Sequence, residues 1–325
     1  MREKYPFIDV IVVNYNGKDI LDKFLISLSK IDYPKNRMQS ILVDNASTDG
    51  SIEFIKKTYP NVRIVVNKKN LGYVGINSAL PYCKGKYVYV INNDIILHKD
   101  CFKKFIRVLE KDGNIAMATY TSINYFDPKI VSGGTWVSKS MYCGHFIKTD
   151  NNKVREIPYL GGGLIRKSVI NKYGYIFDPD YFIYAEDLDL GLRIRSLGMR
   201  VVLVDEAINY HMHAFTTKKW RVNSEMTFLL ERNLLITFFK IFEVKTIFLM
   251  LPYVIFMRIV SILRDLFRLK LRNAFARLSA IFWVIFHFKL ILKKRAKVQK
   301  LRKVDDKHIL KIFSEKYLLK KPVMV

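Results

Sequence analysis

Four apolar runs in the first third of the chain each end in a short cluster of amides and carboxylates. This regularity limits the fold more than any other feature. Residues 9–13 (DVIVV) lead into Asn14, Tyr15, Asn16 and Gly17, and residues 39–43 lead into Asp44, Asn45, Ala46, Ser47, Thr48 and Asp49. Residues 62–66 lead into Asn67 and then Asn70-Leu71-Gly72, and residues 86–91 (KYVYVI) lead into Asn92-Asn93-Asp94. Between the runs lie segments with helical spacing: 18–30, with Ile20, Phe24 and Leu28 on one face, then 50–58 and 71–82. Strands alternating with helices of this length predict an α/β fold, a Rossmann-like, mostly parallel sheet with helices on both faces. Such sheets bind ligands outside the carboxyl ends of their strands. One polar cluster there is ordinary turn and capping chemistry. Four on one rim predict a pocket with convergent polar groups.

The pocket belongs to neither of two common nucleotide-binding types. No GxxxxGK[ST] occurs, and Gly161-Gly162-Gly163 neither follows the first strand nor has GxGxxG spacing. Five ordered segments do carry a resemblance: VIVVNYNG, ILVDNASTDGS, NKKNLGYVGINSAL, YVYVINND and YFIYAEDLDLGLRIRSLG. Together, over about residues 7–217, they resemble a family 2 glycosyltransferase of the GT-A fold, with the rhamnosyltransferase-like members of surface-polysaccharide assembly as the nearest look-alikes. The resemblance implies a nucleotide-sugar donor, dTDP-rhamnose or a UDP-sugar, and a glycan acceptor. It places Asp44 on the nucleobase, with Tyr15, Asn16, Asn45, Asn70, Gly72 and Asn77 around the nucleoside. It puts Asn92-Asn93-Asp94 at the DxD-like motif, where Asp94 would hold Mg²⁺ or Mn²⁺, with Asn standing where a fuller motif has its first Asp. Gly162 and Gly163 would underlie the donor sugar. Independently of any family, cleaving a sugar–diphosphate bond builds negative charge that a hard cation stabilises, and Mg²⁺ needs few protein carboxylates.

Residues 185–198 (AEDLDLGLRIRSLG) read as a helix with Leu190, Ile194 and Leu197 inward. Asp189 and Arg193, four apart, fit an exposed surface ion pair. Glu186 and Asp187 occupy the first turn, where the helix dipole favours acids. Capping would explain both, but the functional reading makes Asp187 the general base and Glu186 the second candidate. The resemblance adds inversion at the anomeric carbon. His211 and His213, in NYHMHAFTT, share one face of a strand, and the resemblance brings His211 to the metal or diphosphate. Trp136 and Tyr142 serve equally well as an acceptor-side platform or as core.

The chain carries 55 Lys and Arg against 29 Asp and Glu, a net charge of +26, which calls for an anionic partner. From residue 218 onward there are 25 basic and 7 acidic residues, a net of +18. The same stretch is rich in Leu, Ile and Phe and nearly free of Gly and Pro, so it reads as helix. Two units follow: a catalytic domain at 1–217 and a basic amphipathic helical region at 218–325. The longest unbroken apolar stretch, 247–257, is 11 residues, and the one at 279–292 is broken by His287 and Lys289. Both are short of the ~18–20 wanted for a membrane span. Their basic flanks predict helices lying in the interface of an anionic membrane, suited to a lipid-linked acceptor. No nucleic-acid motif appears, so nucleic acid is not the expected partner. Three cysteines without CxxC spacing and no secretory leader fit a reduced compartment, hence a peripheral place on the cytoplasmic face of the cell membrane. The rival reading is a membrane-bound sugar-binding scaffold that has lost catalysis.

Overall fold

The computed structural model describes residues 5–145, 154–212 and 223–316. The first half runs β1 (Ile8–Asn14), α1 (Lys18–Ser29), β2 (Met38–Asp44), α2 (Ser51–Thr58), β3 (Arg63–Val66), a 3₁₀ segment (Gly72–Tyr82), β4 (Tyr87–Asn92), β5 (Ile95–Leu97), α3 (Cys101–Lys111) and β6 (Ile115–Asn124). Short strands β7 (Val131–Ser132), β8 (Thr135–Val137), β9 (Cys143–His145) and β10 (Val154–Glu156) follow. Then come β11 (Gly163–Arg166), α4 (Lys167–Tyr173), α5 (Glu186–Ser196) and β12 (Arg200–His211). The described C-terminal residues form α6 (Ser224–Ile241), α7 (Val244–Phe267), α8 (Leu271–Phe286), α9 (Phe288–Leu301) and α10 (Asp306–Leu310).

The main sheet has the order β10-β12-β6-β11-β4-β1-β2-β3. β1 runs parallel to β2 and β4, β2 to β3, and β6 to β12, while β11 is inserted antiparallel between β4 and β6. The sheet is therefore mostly parallel, with helices on both faces, as the alternation of runs predicts. Alternate side chains of β1 enter opposite cores. Val10 and Val12 pack with Phe24, Phe102 and Phe105 from α1 and α3, and Ile11 packs with the 3₁₀ segment, α4 and α5. Segment 71–82 departs from the expected α-helix: it winds as 3₁₀ with Pro81 inside it.

The composition change at residue 218 is not matched by a break in packing. Leu234, Leu235, Phe238 and Ile241 of α6 belong to the same buried cluster as Leu188, Leu192 and the sheet. Asp189 and Arg193 also differ from expectation. They form an ion pair of 2.8 Å that is fully buried, because α6 covers that face of α5. α7 is longer than its apolar core: 24 residues, about 36 Å, with a mean hydropathy of 2.1 over its most apolar 18 residues, long and apolar enough to cross a membrane. α8 and α9 meet at a bend of 70°.

The α7–α8 pair is turned inside out relative to a soluble amphipathic hairpin. Arg258 and Asp265 of α7 point inward and pair with Glu231 of α6 and Arg277 of α8, respectively, and Glu231 also meets Arg277. Phe248, Leu249, Phe256, Phe267, Leu269, Phe275 and Phe286 point outward and are exposed.

Candidate active site

The rim is built by hydrogen bonds that tie one strand end to the next. Asn14, buried at the end of β1, donates from Nδ2 to Asp44 Oδ2 (3.1 Å) and Ser47 Oγ (3.2 Å), and its Oδ1 accepts from Asn93 Nδ2 (2.9 Å). One amide thus locks the ends of β1, β2 and β4. Asn14 lay within the first polar cluster, and its place at the strand end was the signal for this role. The loops after β1 and β2 each hold one non-glycine residue in the left-handed region, Asn16 at φ 49° and Ala46 at φ 61°. Asn16 N–H donates to Ser47 Oγ (2.9 Å), and its Oδ1 accepts from Thr48 N–H (2.7 Å), so the two loops fix each other. Such strain persists where surrounding contacts over-determine it.

Asp44 is fully buried, and its second oxygen accepts Ser47 N–H at 2.8 Å, so the carboxylate orders the turn from within. Tyr15 projects from the rim with an exposed ring. Asn45 accepts from Asn67 (2.8 Å) and donates to Gly72 O (2.8 Å) and Asn70 Oδ1 (3.3 Å). Asn70 Oδ1 also takes Gly72 N–H (2.8 Å). Gly72 has φ 67°, and a Cβ there would lie 2.3 Å from Phe182 O, so only glycine fits. Asn77 differs from its expected place at the nucleoside. Its Nδ2 donates to Phe177 O (2.7 Å) and its Oδ1 accepts from Ile176 and Phe177 N–H, so the amide is spent on the chain before α5. Asn92 is half-buried at the end of β4.

Asp94 and His211 stand 117 residues apart, yet Asp94 Oδ2 and His211 Nε2 are 3.1 Å apart. β5, which follows Asp94 directly, pairs antiparallel with the end of β12 and places Ile95 opposite His211. Met212 N–H closes the contact on Asp94 O (2.9 Å). Among the described residues no group of three or more His, Cys, Asp and Glu side chains is placed to bind a metal ion. One carboxylate oxygen and one imidazole suit Mn²⁺ or Mg²⁺ when diphosphate oxygens and water complete the shell, so these residues fit the implied cation. His213 lies outside the described residues.

Asp187 and Glu186 open α5. Asp187 Oδ2 lies 3.6 Å from where a Cβ on Gly161 would stand, and Gly161 O accepts the Tyr73 hydroxyl (2.6 Å). Burial holds the Tyr73 phenol well above its usual range, and Tyr120, Glu186, Asp187 and Asp94 add to the effect. Carboxylates of α5 and of the β4 end thus act electrostatically on one buried phenol, which sequence reasoning did not single out. Gly162 packs under Tyr120, whose hydroxyl would lie 2.8 Å from an added Cβ. Gly163 opens β11 and pairs with Val90 inside the sheet, so it serves the core rather than an open sugar pocket.

Burial pushes the Asp187 carboxyl up to about 6, against hydrogen bonding from Leu188 N–H. Glu186 is also held well above its usual range, by burial first and then by Asp187. Both carboxyls of the pair are thus held above the usual carboxylate range, chiefly by burial. Tyr73, Tyr159 and Cys143 face the pair from other elements. His145 of β9 was also missed from sequence. Burial, then His211, push its imidazole down to about 4, so it stays neutral. Trp136 is buried under Gly144, and the Tyr142 hydroxyl donates to Glu231 Oε1 (3.1 Å) and accepts from Ser261 Oγ (2.8 Å), so both belong to the interior rather than to a platform.

The glycosyl transferase family 2 model matches residues 9–174. The N-acetylglucosaminyl-diphospho-decaprenol L-rhamnosyltransferase of Mycobacterium tuberculosis is 27% identical over 244 residues, covering 64% of this chain and 76% of that protein. Among solved structures, the mannosyltransferase PcManGT from Pyrobaculum calidifontis in complex with GDP-Man and Mn²⁺ superposes with a TM-score of 0.54 at 16% identity, over 91% of this chain and 86% of that one. The 1–349 fragment of S. aureus TarS in complex with UDP superposes with a TM-score of 0.53 at 18% identity, over 72% of this chain and 66% of that one.

Proposed function

The chain belongs to glycosyl transferase family 2 and is a glycosyltransferase of the GT-A fold, and from that premise we propose that it moves a sugar, with inversion, from dTDP-rhamnose or a UDP-sugar to a hydroxyl of a lipid-linked glycan in surface-polysaccharide synthesis. The observation that carries this reading is the geometry of the rim: Asp94 Oδ2 stands 3.1 Å from His211 Nε2, and Asp187, opening α5, lies beside Gly161, whose carbonyl takes the Tyr73 hydroxyl. The rhamnosyltransferase relative, named for a diphospho-decaprenol acceptor and an L-rhamnosyl group, supports the lipid-linked acceptor and rhamnose as the sugar moved.

In this mechanism Asp187 accepts the proton of the acceptor hydroxyl as that oxygen bonds to the anomeric carbon. The anomeric bond to the diphosphate breaks on the opposite face, and the nucleoside diphosphate leaves with the bonding pair. Glu186, buried beside Asp187 in the first turn of α5, is the second candidate for that role. Asp94 and His211 would hold Mg²⁺ or Mn²⁺, which would neutralise charge on the departing diphosphate. The Asn14–Asp44–Asn93 cluster keeps the rim rigid, and Tyr15 offers a ring to the nucleobase.

The same protein is proposed to work peripherally on an anionic membrane, at the cytoplasmic face, through α7 and α8. The outward apolar face of that hairpin supports this, as do Arg264, Arg268, Lys270 and Arg272 around its turn. A buried charged cluster holds the opposite face to the protein, which favours lying in the interface over spanning it.

The deciding experiment is transfer by the detergent-solubilised protein from dTDP- and UDP-sugars to lipid-linked acceptors, with Mg²⁺ or Mn²⁺, beside Asp187→Asn and Asp94→Ala. Metal-dependent release of nucleoside diphosphate that both substitutions abolish is the expected result. Tight nucleotide binding with no release from any donor would turn the reading toward a binding scaffold.

A further inference from the structure

The loop that delivers the acid pair is built against its own backbone preferences. In residues 178–185, Phe182 (φ 67°), Tyr184 (φ 71°) and Ala185 (φ 59°) are all left-handed, and none is glycine. Each such residue is held only where its surroundings over-determine it. On one side, Phe182 O accepts Tyr73 N–H at 2.8 Å, over the bare Cα of Gly72. On the other side stands α6, from the C-terminal region.

α6 presents Asn233, Thr237 and Lys240 to this loop at i, i+4 and i+7, and all three are fully buried. An apolar stripe would be the ordinary choice at such positions. Asn233 Nδ2 lies 3.2, 3.0 and 2.8 Å from the carbonyls of Tyr181, Ile183 and Tyr184, so its two hydrogens serve three acceptors. Its Oδ1 accepts from Arg232 Nε (3.0 Å), which fixes which way the amide faces, and Arg232 also holds Asp180 O (2.9 Å). Tyr184 O lies two residues before Glu186 and three before Asp187.

We propose, building on Asp187 as the base, that Asn233 is a positioning residue for the transfer reaction: it clamps the left-handed loop and so sets the direction in which the first turn of α5 presents Asp187 to the acceptor. The C-terminal region then completes the catalytic unit as well as contacting a membrane. Asn233 touches neither substrate nor reacting atoms. Thr237 bonds the Tyr181 hydroxyl (2.8 Å), not the loop's carbonyls, so it supplies the control.

The test compares wild type, Asn233→Ala, Asn233→Ser and Thr237→Val, all full-length in detergent. Hydrogen exchange over residues 181–188 is read without substrate. kcat, donor KM, nucleoside-diphosphate Kd and the pH profile are read with it. Asn233→Ala should speed exchange in that stretch about 10-fold or more while Thr237→Val leaves it near wild type. It should lower kcat by about 10–100-fold, as a small misplacement of a catalytic group does, with nucleotide Kd within about twofold and the acidic limb of the pH profile displaced. Asn233→Ser, which keeps one donor, should fall between and serves if the alanine variant does not fold. Unchanged exchange in the Asn233 variants overturns the clamp, whatever the activity. So does retained kcat, or a kcat loss in Thr237→Val as large as in Asn233→Ala. If wild type turns over no donor, the transferase reading falls, and the exchange comparison still decides the clamp.

Discussion

Asp187 is costly to keep as a carboxylate. Burial raises its pKa to about 6, so the folded protein binds its proton more tightly than the unfolded chain does. The sign follows directly. Stability is lost as pH rises from the usual carboxylate range to about 6, and above that the full cost is carried. Activity has the opposite trend, because the base works only when ionised, so kcat should climb through about pH 6 and level off above it. Asp187→Asn should lower kcat by ~10²–10⁴-fold. It should also raise the melting temperature at pH 7.5, with the gain vanishing near pH 4. A melting curve beside a rate assay checks both, and an asparagine variant that is inactive and less stable at pH 7.5 would contradict the account. Gly72 gives a second prediction. Gly72→Ala places a Cβ 2.3 Å from Phe182 O in a left-handed backbone, so it should cost at least about 1–2 kcal/mol in denaturant unfolding and disturb the loop before α5.

The elements were legible in the sequence to different depths, for physical reasons. β1, β2 and β4 announce themselves as β-branched and aromatic runs, and their polar ends marked the rim because a parallel sheet puts all those ends on one side. Asp94 was read from that pattern, Asp187 from the first turn of the helix at 185–198, and each also from the family resemblance. What stayed hidden depended on long-range packing. Asn77 looked like a pocket amide, yet it bonds backbone 99 and 100 residues away. Asp189 and Arg193 looked like a surface pair, because helical spacing says nothing about a second helix laid over them. That helix, α6, brings Lys240 between Asp178 (2.6 Å) and Asp189 (2.7 Å), with no exposure on any of the three. Burial alone would raise the Asp178 carboxyl, but Lys240 and Lys294 hold it well below its usual range. Removing Lys240 leaves two buried acids with one cation each, Lys294 on Asp178 and Arg193 on Asp189, so Lys240→Ala should cost up to about 3–5 kcal/mol in urea unfolding. Lys240→Met, which fills the space but leaves Asp178 to Lys294 alone and Asp189 to Arg193 alone, should recover little of it.

At the scale of the whole molecule, the charge and the apolar surface tell one story. The net charge of +18 after residue 217 would by itself fit any polyanion. The structure adds that Phe267, Leu269 and Leu271 crown the α7–α8 turn at exposures of 87, 84 and 62%, among Arg264, Arg268, Lys270 and Arg272. Water would not favour that surface, and nucleic acid has no use for it, whereas an anionic bilayer satisfies both halves: acyl chains for the rings and branched side chains, headgroups for the cations. Each cation near such a surface is worth about 1 kcal/mol, and the attraction is screened by salt. The protein should therefore float with vesicles containing phosphatidylglycerol, float poorly with phosphatidylcholine alone, and lose part of its binding in high salt. Reversing the four cations to Glu should remove the lipid selectivity. Phe267→Glu with Leu269→Glu should release the protein even from anionic vesicles, because acids placed at the tip oppose both the burial and the charge. Binding that is equal on both lipids and insensitive to salt would assign the hairpin to a purely apolar insertion and leave the basic residues without this role. Glu231 ties Arg258 and Arg277 of the hairpin to Tyr142, three residues before His145, so the inward face of the hairpin and the β8–β9 turn share one charged cluster, and a change in either is felt by the other.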